Sequence, residues 1–146
     1  MYLKKMLLAG SIFALAACAS VDAKRFNYAD YAGAPIPELR FQTGLHNWQR
    51  IDDSSLVVWT RPSEAYLLTL RTDCNALQLA KAVVIDDRDG TSGRMVAGST
   101  DVLAGPMRCR IETIRPINTQ VVSESKRNLQ EAELVERDPS EAEAPR

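Results

Sequence analysis

Acidic side chains are the residues whose chemistry comes closest to that of a hydrolytic site, and the candidates are Asp52, Asp53, Glu64 and Asp101. Two carboxylates at a suitable separation can act as general acid and general base. Such catalysis requires the two groups to converge in space, and Asp52 and Asp53 precede two serines, a context typical of a turn. We therefore interpret these carboxylates as turn and surface residues, and a small enzyme that uses them is the alternative.

The other catalytic and metal-binding patterns are either absent from the sequence or have the wrong spacing. The chain has no G-x-S-x-G and no S-x-x-K motif, and its single histidine, His46, has no second histidine with which to share a metal. The acidic run 86–89 precedes a glycine as in a calcium loop, but this register puts Ile85 and Val96 at ligand positions. We predict a solvated turn at this run, and no catalytic residue, cofactor or metal.

The N-terminus has the order of charge and hydrophobicity that secretion machinery reads. Lys4 and Lys5 precede an apolar run, residues 6–17, which is shorter than the roughly 20 residues of a membrane-spanning helix. The run ends in LAAC, residues 15–18, which resembles the lipobox of bacterial lipoproteins. The resemblance implies a signal peptide at residues 1–17, and acylation of Cys18 by diacylglycerol and a fatty acid such as palmitate. An ordinary secretory signal with an incidental cysteine is the alternative.

The lipobox resemblance also implies a location. Several acyl chains hold a protein at a membrane where one chain lets it exchange, because each buried methylene contributes about 0.8 kcal/mol. Ala19 follows Cys18, whereas the inner-membrane retention signal of lipoproteins is an aspartate at that position. We therefore expect a protein of the cell envelope, anchored by lipid, on the outer membrane and facing the periplasm.

The charge balance excludes one class of partner. Loss of residues 1–17 removes two of the 18 basic residues and none of the 19 acidic residues, so the mature chain has a net charge of −3. Nucleic-acid binding requires clustered Lys and Arg, and we expect no nucleic-acid partner. The expected partners are the membrane, through the lipid anchor, and an envelope protein or glycan.

Two cysteines remain once Cys18 is acylated, and both belong to an oxidising compartment in which disulfides persist. We predict a disulfide between Cys74 and Cys109, which would stabilise the domain by roughly 3 to 4 kcal/mol through restriction of the unfolded chain. The strand pattern over 109–115 places Cys109 on the inward face, where Cys74 can meet it. A reactive or metal-binding thiol pair is the alternative, but the chain has no C-x-x-C.

Short apolar runs cut by turn residues predict a β-rich domain over residues 45–120. In the segment 66–71, apolar residues alternate in a way that predicts a strand with one buried face. The predicted strands lie at residues 56–60, 66–71, 82–85, 94–97 and 109–115. A short helical turn is predicted at residues 75–81. The other predicted segments are a tether at 18–44, a helix poor in apolar residues at 121–137 and a disordered tail at 138–146.

These elements predict an α+β, mainly β fold, either a small antiparallel sheet or a partly open barrel, with one short helix and one intradomain disulfide. The aromatic residues Trp48, Trp59 and Tyr66 are interpreted as core residues, and an aromatic binding surface is the alternative. Within that alternative, the candidate binding surface consists of Trp48, Asp52 and Asp53.

The order of these features resembles an uncharacterised family of small proteobacterial envelope lipoproteins with a domain of unknown function. The resemblance rests on the lipobox, Asn47-Trp48, Asp52-Asp53, Trp59, Tyr66-Leu67-Leu68, Cys74, Asp101 and residues 108–111. It supports one disulfide-linked domain and implies no activity. We expect a non-catalytic binding or assembly module of the cell envelope, with a small periplasmic enzyme or a structural envelope protein as alternatives.

Overall fold

The described part of the chain comprises residues 26–42, 44–86 and 93–137 of a computed structural model. The lipobox, the predicted signal peptide, the acidic run from residue 87 onward and the predicted tail lie outside these residues. The strands are β1 (Glu38–Arg40), β2 (Asn47–Arg50), β3 (Ser55–Arg61), β4 (Glu64–Leu70), β5 (Val83–Asp86), β6 (Arg94–Val96), β7 (Asp101–Ala104) and β8 (Met107–Ile117). The helix α1 spans Thr119–Arg137, and two 3₁₀ turns span Tyr28–Tyr31 and Asn75–Gln78.

Six of the strands form one antiparallel sheet in the order β2-β3-β4-β8-β7-β5, curled into an open half-barrel. Strands β1 and β6 pair separately as a two-stranded antiparallel ribbon. The pairing of β4 with β8 joins the β3–β4 hairpin to the C-terminal strands. The predicted mainly β fold with a partly open barrel is therefore confirmed.

The β3–β4 hairpin is apolar on both of its faces. Leu56, Val57 and Val58 are each completely buried, although successive side chains of a strand point to opposite faces. Leu67 and Leu68 repeat this pattern in β4. The prediction of a single buried face was wrong, because segments from both ends of the described chain cover the second face.

The concave face of the half-barrel holds the larger core. Leu56, Val58 and Leu68 pack there with Ile111 and Ile114 of β8. The β1–β6 ribbon contributes buried Leu39 and Met95 to this core, and the second 3₁₀ turn contributes Leu77. The hairpin and its inner cover thus form one continuous apolar interior.

The predicted disulfide between Cys74 and Cys109 is present, with a Cα–Cα distance of 6.0 Å. Both residues are buried in the inner core. Cys74 precedes the second 3₁₀ turn and Cys109 lies in β8, so the bond fastens this turn to the sheet. The predicted inward orientation of Cys109 is confirmed.

An irregularity in β8 changes the alternation that the sequence predicted for residues 109–115. Leu70 of β4 pairs with Ile111, whereas Thr69 pairs with Thr113, so one residue of β8 is extra at this point. This β-bulge brings both Ile111 and Ile114 into the inner core despite their odd spacing.

The convex face carries a second, smaller core. Val57, Ala65 and Leu67 of the hairpin are covered there by Tyr28, which is 2% exposed, and by Val122 of α1. Each cover comes from a region outside the hairpin, one before it and one after it in the chain.

The segment 26–42 differs from the tether predicted at residues 18–44. Gly33 and Ile36 donate backbone hydrogen bonds to Pro116 and Ile114, so the segment runs along the edge of β8. Arg115 donates from Nε to the Gly33 carbonyl and from Nη2 to the Ala32 carbonyl, both at 2.8 Å. The packed domain therefore begins before residue 45, because the convex face needs apolar cover that this segment supplies.

Helix α1 is fastened at its N-terminal end. Asn118 accepts a hydrogen bond from the Val121 amide, as an N-cap residue does, and Thr119 donates to the Ser63 carbonyl in the β3–β4 turn. Farther along the helix, Leu129 and Leu134 are 44% and 66% exposed. Within the described residues, no helix has the length and apolar character needed to cross a membrane.

We predict that Leu67→Ala lowers the free energy of unfolding by about 2–5 kcal/mol, because it opens a cavity between the hairpin and its outer cover. The matched control is Leu134→Ala on the exposed side of α1, which should change stability by less than about 0.5 kcal/mol. Urea unfolding of the two variants and the parent provides the measurement. Equal, small effects would contradict a core on the convex face.

Candidate binding groove

The four candidate carboxylates do not form one site. Asp53 precedes the start of β3, and Glu64 follows its end, where it pairs with Arg61. Seven strand residues at about 3.3 Å each separate the two ends by roughly 20 Å. Asp101 is buried at the start of β7, beside Arg110 of the neighbouring strand. Asp53 and Glu64 therefore lie too far apart to act as a glycosidase acid and base, whose carboxylates are less than about 10 Å apart.

Asp52 and Asp53 hold the turn between β2 and β3. Asp52 accepts hydrogen bonds from the Ser54 amide at 2.8 Å and from the Ser54 hydroxyl at 3.1 Å. Burial acts to raise the pKa of Asp52, but hydrogen bonds from Ser55 and Ser54 outweigh it and hold this pKa below its ordinary value. The negative charge of Asp52 is thus used to order the turn.

Asp53 connects this turn to the segment that carries the disulfide. Its Oδ1 accepts from Gln78 at 2.8 Å and from Arg50 at 2.6 Å, and its carbonyl accepts from the Cys74 amide at 2.6 Å. Hydrogen bonds from Gln78 and Arg50 hold the pKa of Asp53 below its ordinary value. Asp53 therefore positions the second 3₁₀ turn relative to the sheet.

Glu64 and Asp101 are both engaged by neighbouring side chains. Glu64 accepts a hydrogen bond from the Tyr66 hydroxyl, and burial together with this carboxylate raises the pKa of Tyr66 to about 12. The carboxylate of Asp101 accepts from Arg110, which also donates to the Gly98 carbonyl at 3.0 Å. A buried carboxylate requires such a partner, since an unpaired buried charge is costly.

The residues of the predicted binding surface, Trp48, Asp52 and Asp53, also make contacts within the domain. Trp48 is half-buried in β2 and packs against the inner core. Tyr66 is buried in that core, and Trp59 is half-buried against the outer core. The aromatic candidates thus pack on opposite faces of the sheet, and Asp52 and Asp53 serve the adjacent turn. Among the described residues, no group of three or more His, Cys, Asp or Glu side chains could hold a metal.

An aromatic cluster on the convex side was not recognised in the sequence. The Phe26 and Tyr31 rings are stacked with centroids 4.9 Å apart and planes 4° from parallel. Tyr28 meets Phe26 edge to face at 5.0 Å and Trp59 edge to face at 6.4 Å. The available signal is three aromatic residues within six positions, in a stretch without sustained periodicity.

Lys126 of α1 joins the helix to this cluster. Its ammonium lies 4.9 Å from the Tyr28 ring centroid and 5.2 Å from that of Phe26, within the range of cation–π attraction. Lys126 also donates to the Tyr28 hydroxyl at 2.7 Å, and this hydroxyl donates to Gln49 at 2.8 Å. The cluster is therefore a fixed floor between the sheet and the helix.

Two adjoining cavities open beside this floor, and we call them together the Tyr31 groove. The larger, about 570 Å³, is lined by residues 30–33, residues 116–118 and Val121. The smaller, about 330 Å³, lies between residues 26–31 and the Ser125, Asn128 and Leu129 positions of α1. Asp30 and Tyr31 line both cavities. Their combined size is that of a site for a small or chain-like ligand.

The fold and the groove define a small, disulfide-linked half-barrel domain whose convex face is covered by an N-terminal segment and a C-terminal helix. The chain belongs to DUF6491, a family of unknown function, whose family model matches residues 1–133. The matched region includes both cavities and the aromatic cluster. No match was found among curated proteins or among solved structures.

We predict that the Tyr66 phenol makes stability fall in strongly alkaline solution. Its pKa is raised from 10.0 to about 12 in the folded protein, so its contribution is fully present below pH 10 and is lost as the pH rises through about 12. Tyr66→Phe lacks this ionisation and should lose less stability over that interval. Urea unfolding at a series of pH values compares the two proteins, and parallel curves would contradict the assignment.

Proposed function

We propose that this protein is a lipid-anchored, non-catalytic binding module of the cell envelope, and that the Tyr31 groove is its binding surface. The observation that carries the proposal is the pair of adjoining cavities that share Asp30 and Tyr31. Both are open to solvent, and both lie outside the hydrogen-bonded clusters that engage Asp52, Asp53, Glu64 and Asp101.

The construction of the groove supports a binding role. Its floor is held by stacked rings, and one wall is a helix fastened to the β3–β4 turn through Thr119. The opposite wall is fixed to β8 by Arg115 through the Ala32 and Gly33 carbonyls. A site with fixed walls loses little conformational entropy when a ligand binds, which favours affinity.

The position of the groove in the chain supports a partner close to a membrane. Phe26, at the edge of the smaller cavity, follows Cys18 by eight residues. Eight residues extend to at most about 29 Å. If Cys18 bears lipid, as the lipobox resemblance implies, the groove is confined to a thin layer next to the outer membrane, on the periplasmic side. An envelope protein or glycan within that layer is the expected ligand.

The anchor is tested by Cys18→Ser, which removes the thiol that acylation requires. We expect this variant to be released from the membrane fraction into the soluble fraction, since no acyl chains would remain to hold it. Ala19→Ser is the matched control, because it changes the adjacent position and keeps the cysteine. A Cys18→Ser protein that stays with the membranes would overturn the lipid anchor.

The groove is tested by a photo-crosslinking residue placed at Val121, which is 41% exposed and lines the larger cavity. We expect irradiation of intact cells to yield a reproducible adduct with an envelope component, identified by mass spectrometry. The same residue at Leu134, which is exposed and lines neither cavity, should not yield that adduct. Identical adducts from both positions would contradict a specific site.

A further inference from the structure

We propose that the ligand of the Tyr31 groove is a neutral oligosaccharide. This inference rests on the proposed function and names the ligand class of the same groove. It follows from four properties of the lining: an aromatic platform, a set of polar groups that both donate and accept, the charges already in place, and the shape of the two cavities.

The aromatic platform is the Tyr31 ring. One face of this ring stacks on Phe26, with the planes 4° from parallel. Tyr31 lines both cavities, whereas Phe26 lines only the smaller one, so Tyr31 is the ring of this stack that the two cavities share. A ring that is already fixed by stacking offers a rigid apolar face at small entropic cost. The C–H face of a sugar ring is a suitable partner for such a surface.

The polar lining matches hydroxyl groups. Asn27 and Asn128 border the smaller cavity with Ser125, and Asn118 borders the larger one. An amide side chain carries two N–H donors and an acceptor oxygen, and a serine hydroxyl both donates and accepts. Asn27 already donates to Asp30 and accepts from the Ala29 amide, and the Asn118 oxygen accepts from the Val121 amide, so Ser125 and Asn128 are the lining groups most open to a ligand. A sugar presents hydroxyls that also act in both senses, so these two groups have a partner whichever way the hydroxyl points.

The charges beside the groove favour a neutral ligand. The Asp30 carboxylate lines both cavities, and the Lys126 ammonium lies close by, over Phe26 and Tyr28. These two charges have opposite signs and offset each other, so their sum gives neither a cationic nor an anionic ligand a strong electrostatic advantage. A neutral ligand with many hydroxyls needs no net charge in the lining.

The backbone and the shape of the groove favour a sugar chain over a peptide strand. A peptide that binds by strand addition needs an open sheet edge, and the edge of β8 beside the larger cavity is already bridged by Ala32 and Ile36. The two cavities of about 570 and 330 Å³ meet at Asp30 and Tyr31. Two adjoining compartments with a shared aromatic residue suit at least two consecutive sugar rings.

The test is titration of the full-length protein with two neutral tetrasaccharides, chitotetraose and maltotetraose, by isothermal calorimetry. Choline and inorganic phosphate serve as cationic and anionic probes. We expect at least one tetrasaccharide to bind and both ionic probes to bind more weakly. Binding to chitotetraose alone would indicate an N-acetylated glycan such as that of the cell wall, whereas binding to maltotetraose alone would indicate an unacetylated one.

Three variants connect the binding to the groove. Tyr31→Ala should weaken the saccharide about tenfold through loss of the platform, and Asn128→Ala should weaken it about fivefold through loss of a hydrogen bond. Leu134→Ala should leave the affinity unchanged. Asn128 is exposed, so Asn128→Ala tests the proposal even if Tyr31→Ala disturbs folding.

Absence of binding to both tetrasaccharides would overturn the saccharide proposal. Saccharide binding that Asn128→Ala and Tyr31→Ala leave unchanged would also overturn it. So would binding of choline or phosphate that is tighter than binding of either tetrasaccharide. The crosslinking at Val121 separates this failure from failure of the proposed function. A specific protein adduct at Val121 without saccharide binding would keep the binding module and exclude the sugar. Loss of both results would overturn both proposals.

Discussion

Strands β3 and β4 carry apolar side chains on both faces, and each face of this hairpin therefore needs its own cover. Leu56 and Leu68 point into the half-barrel, whereas Val57 and Leu67 point to the opposite side, and all four are buried. Apolar surface left in water costs about 25 cal/mol for each Å². The inner cover is built from β8, the β1–β6 ribbon and the disulfide-bonded 3₁₀ turn. The outer cover has to come from elsewhere in the chain.

The outer cover is the origin of the Tyr31 groove. Tyr28 and Val122 seal the apolar surface of the hairpin, and the segments that deliver them leave a cleft where they diverge. Lys126 joins the two segments through its contacts with the Tyr28 hydroxyl and with the Phe26 and Tyr28 rings. The groove is thus a consequence of covering the sheet, and both of its walls are fastened to the sheet by hydrogen bonds.

The acidic residues that first suggested chemistry serve the structure of the domain. Asp53 links the β2–β3 turn to Gln78 and the Cys74 amide, and Asp101 compensates the charge of Arg110 at the sheet. Hydrogen bonds lower the pKa of both Asp52 and Asp53, which keeps these groups ionised and ordered. A general acid near neutral pH needs the opposite shift. The polar side chains that line the groove are three amides, the Ser125 hydroxyl and the Asp30 carboxylate.

Much of the fold followed from local patterns in the sequence. The position of β4, the turn residues after β3 and the pairing of Cys74 with Cys109 were all predicted, because they depend on short-range spacing or on a simple count of cysteines. The bulge in β8 was not predicted, since the extra residue has meaning only against the partner strand. The segment 26–42 was interpreted as a tether because an aperiodic stretch does not reveal which surface it will contact.

The sequence by itself predicted the disulfide and five of the eight strands in the described part of the chain, because strand patterns are encoded in neighbouring residues and a small number of cysteines leaves few pairings. The tertiary structure alone decided that the sheet has two covered faces and that a groove forms between the covers. The decisive contacts join residues far apart in the chain, such as Lys126 with Tyr28 across 98 positions and Arg115 with Ala32 across 83. Local propensity carries no information about such pairs. Their members meet only after the two segments have packed against the apolar surface of the hairpin.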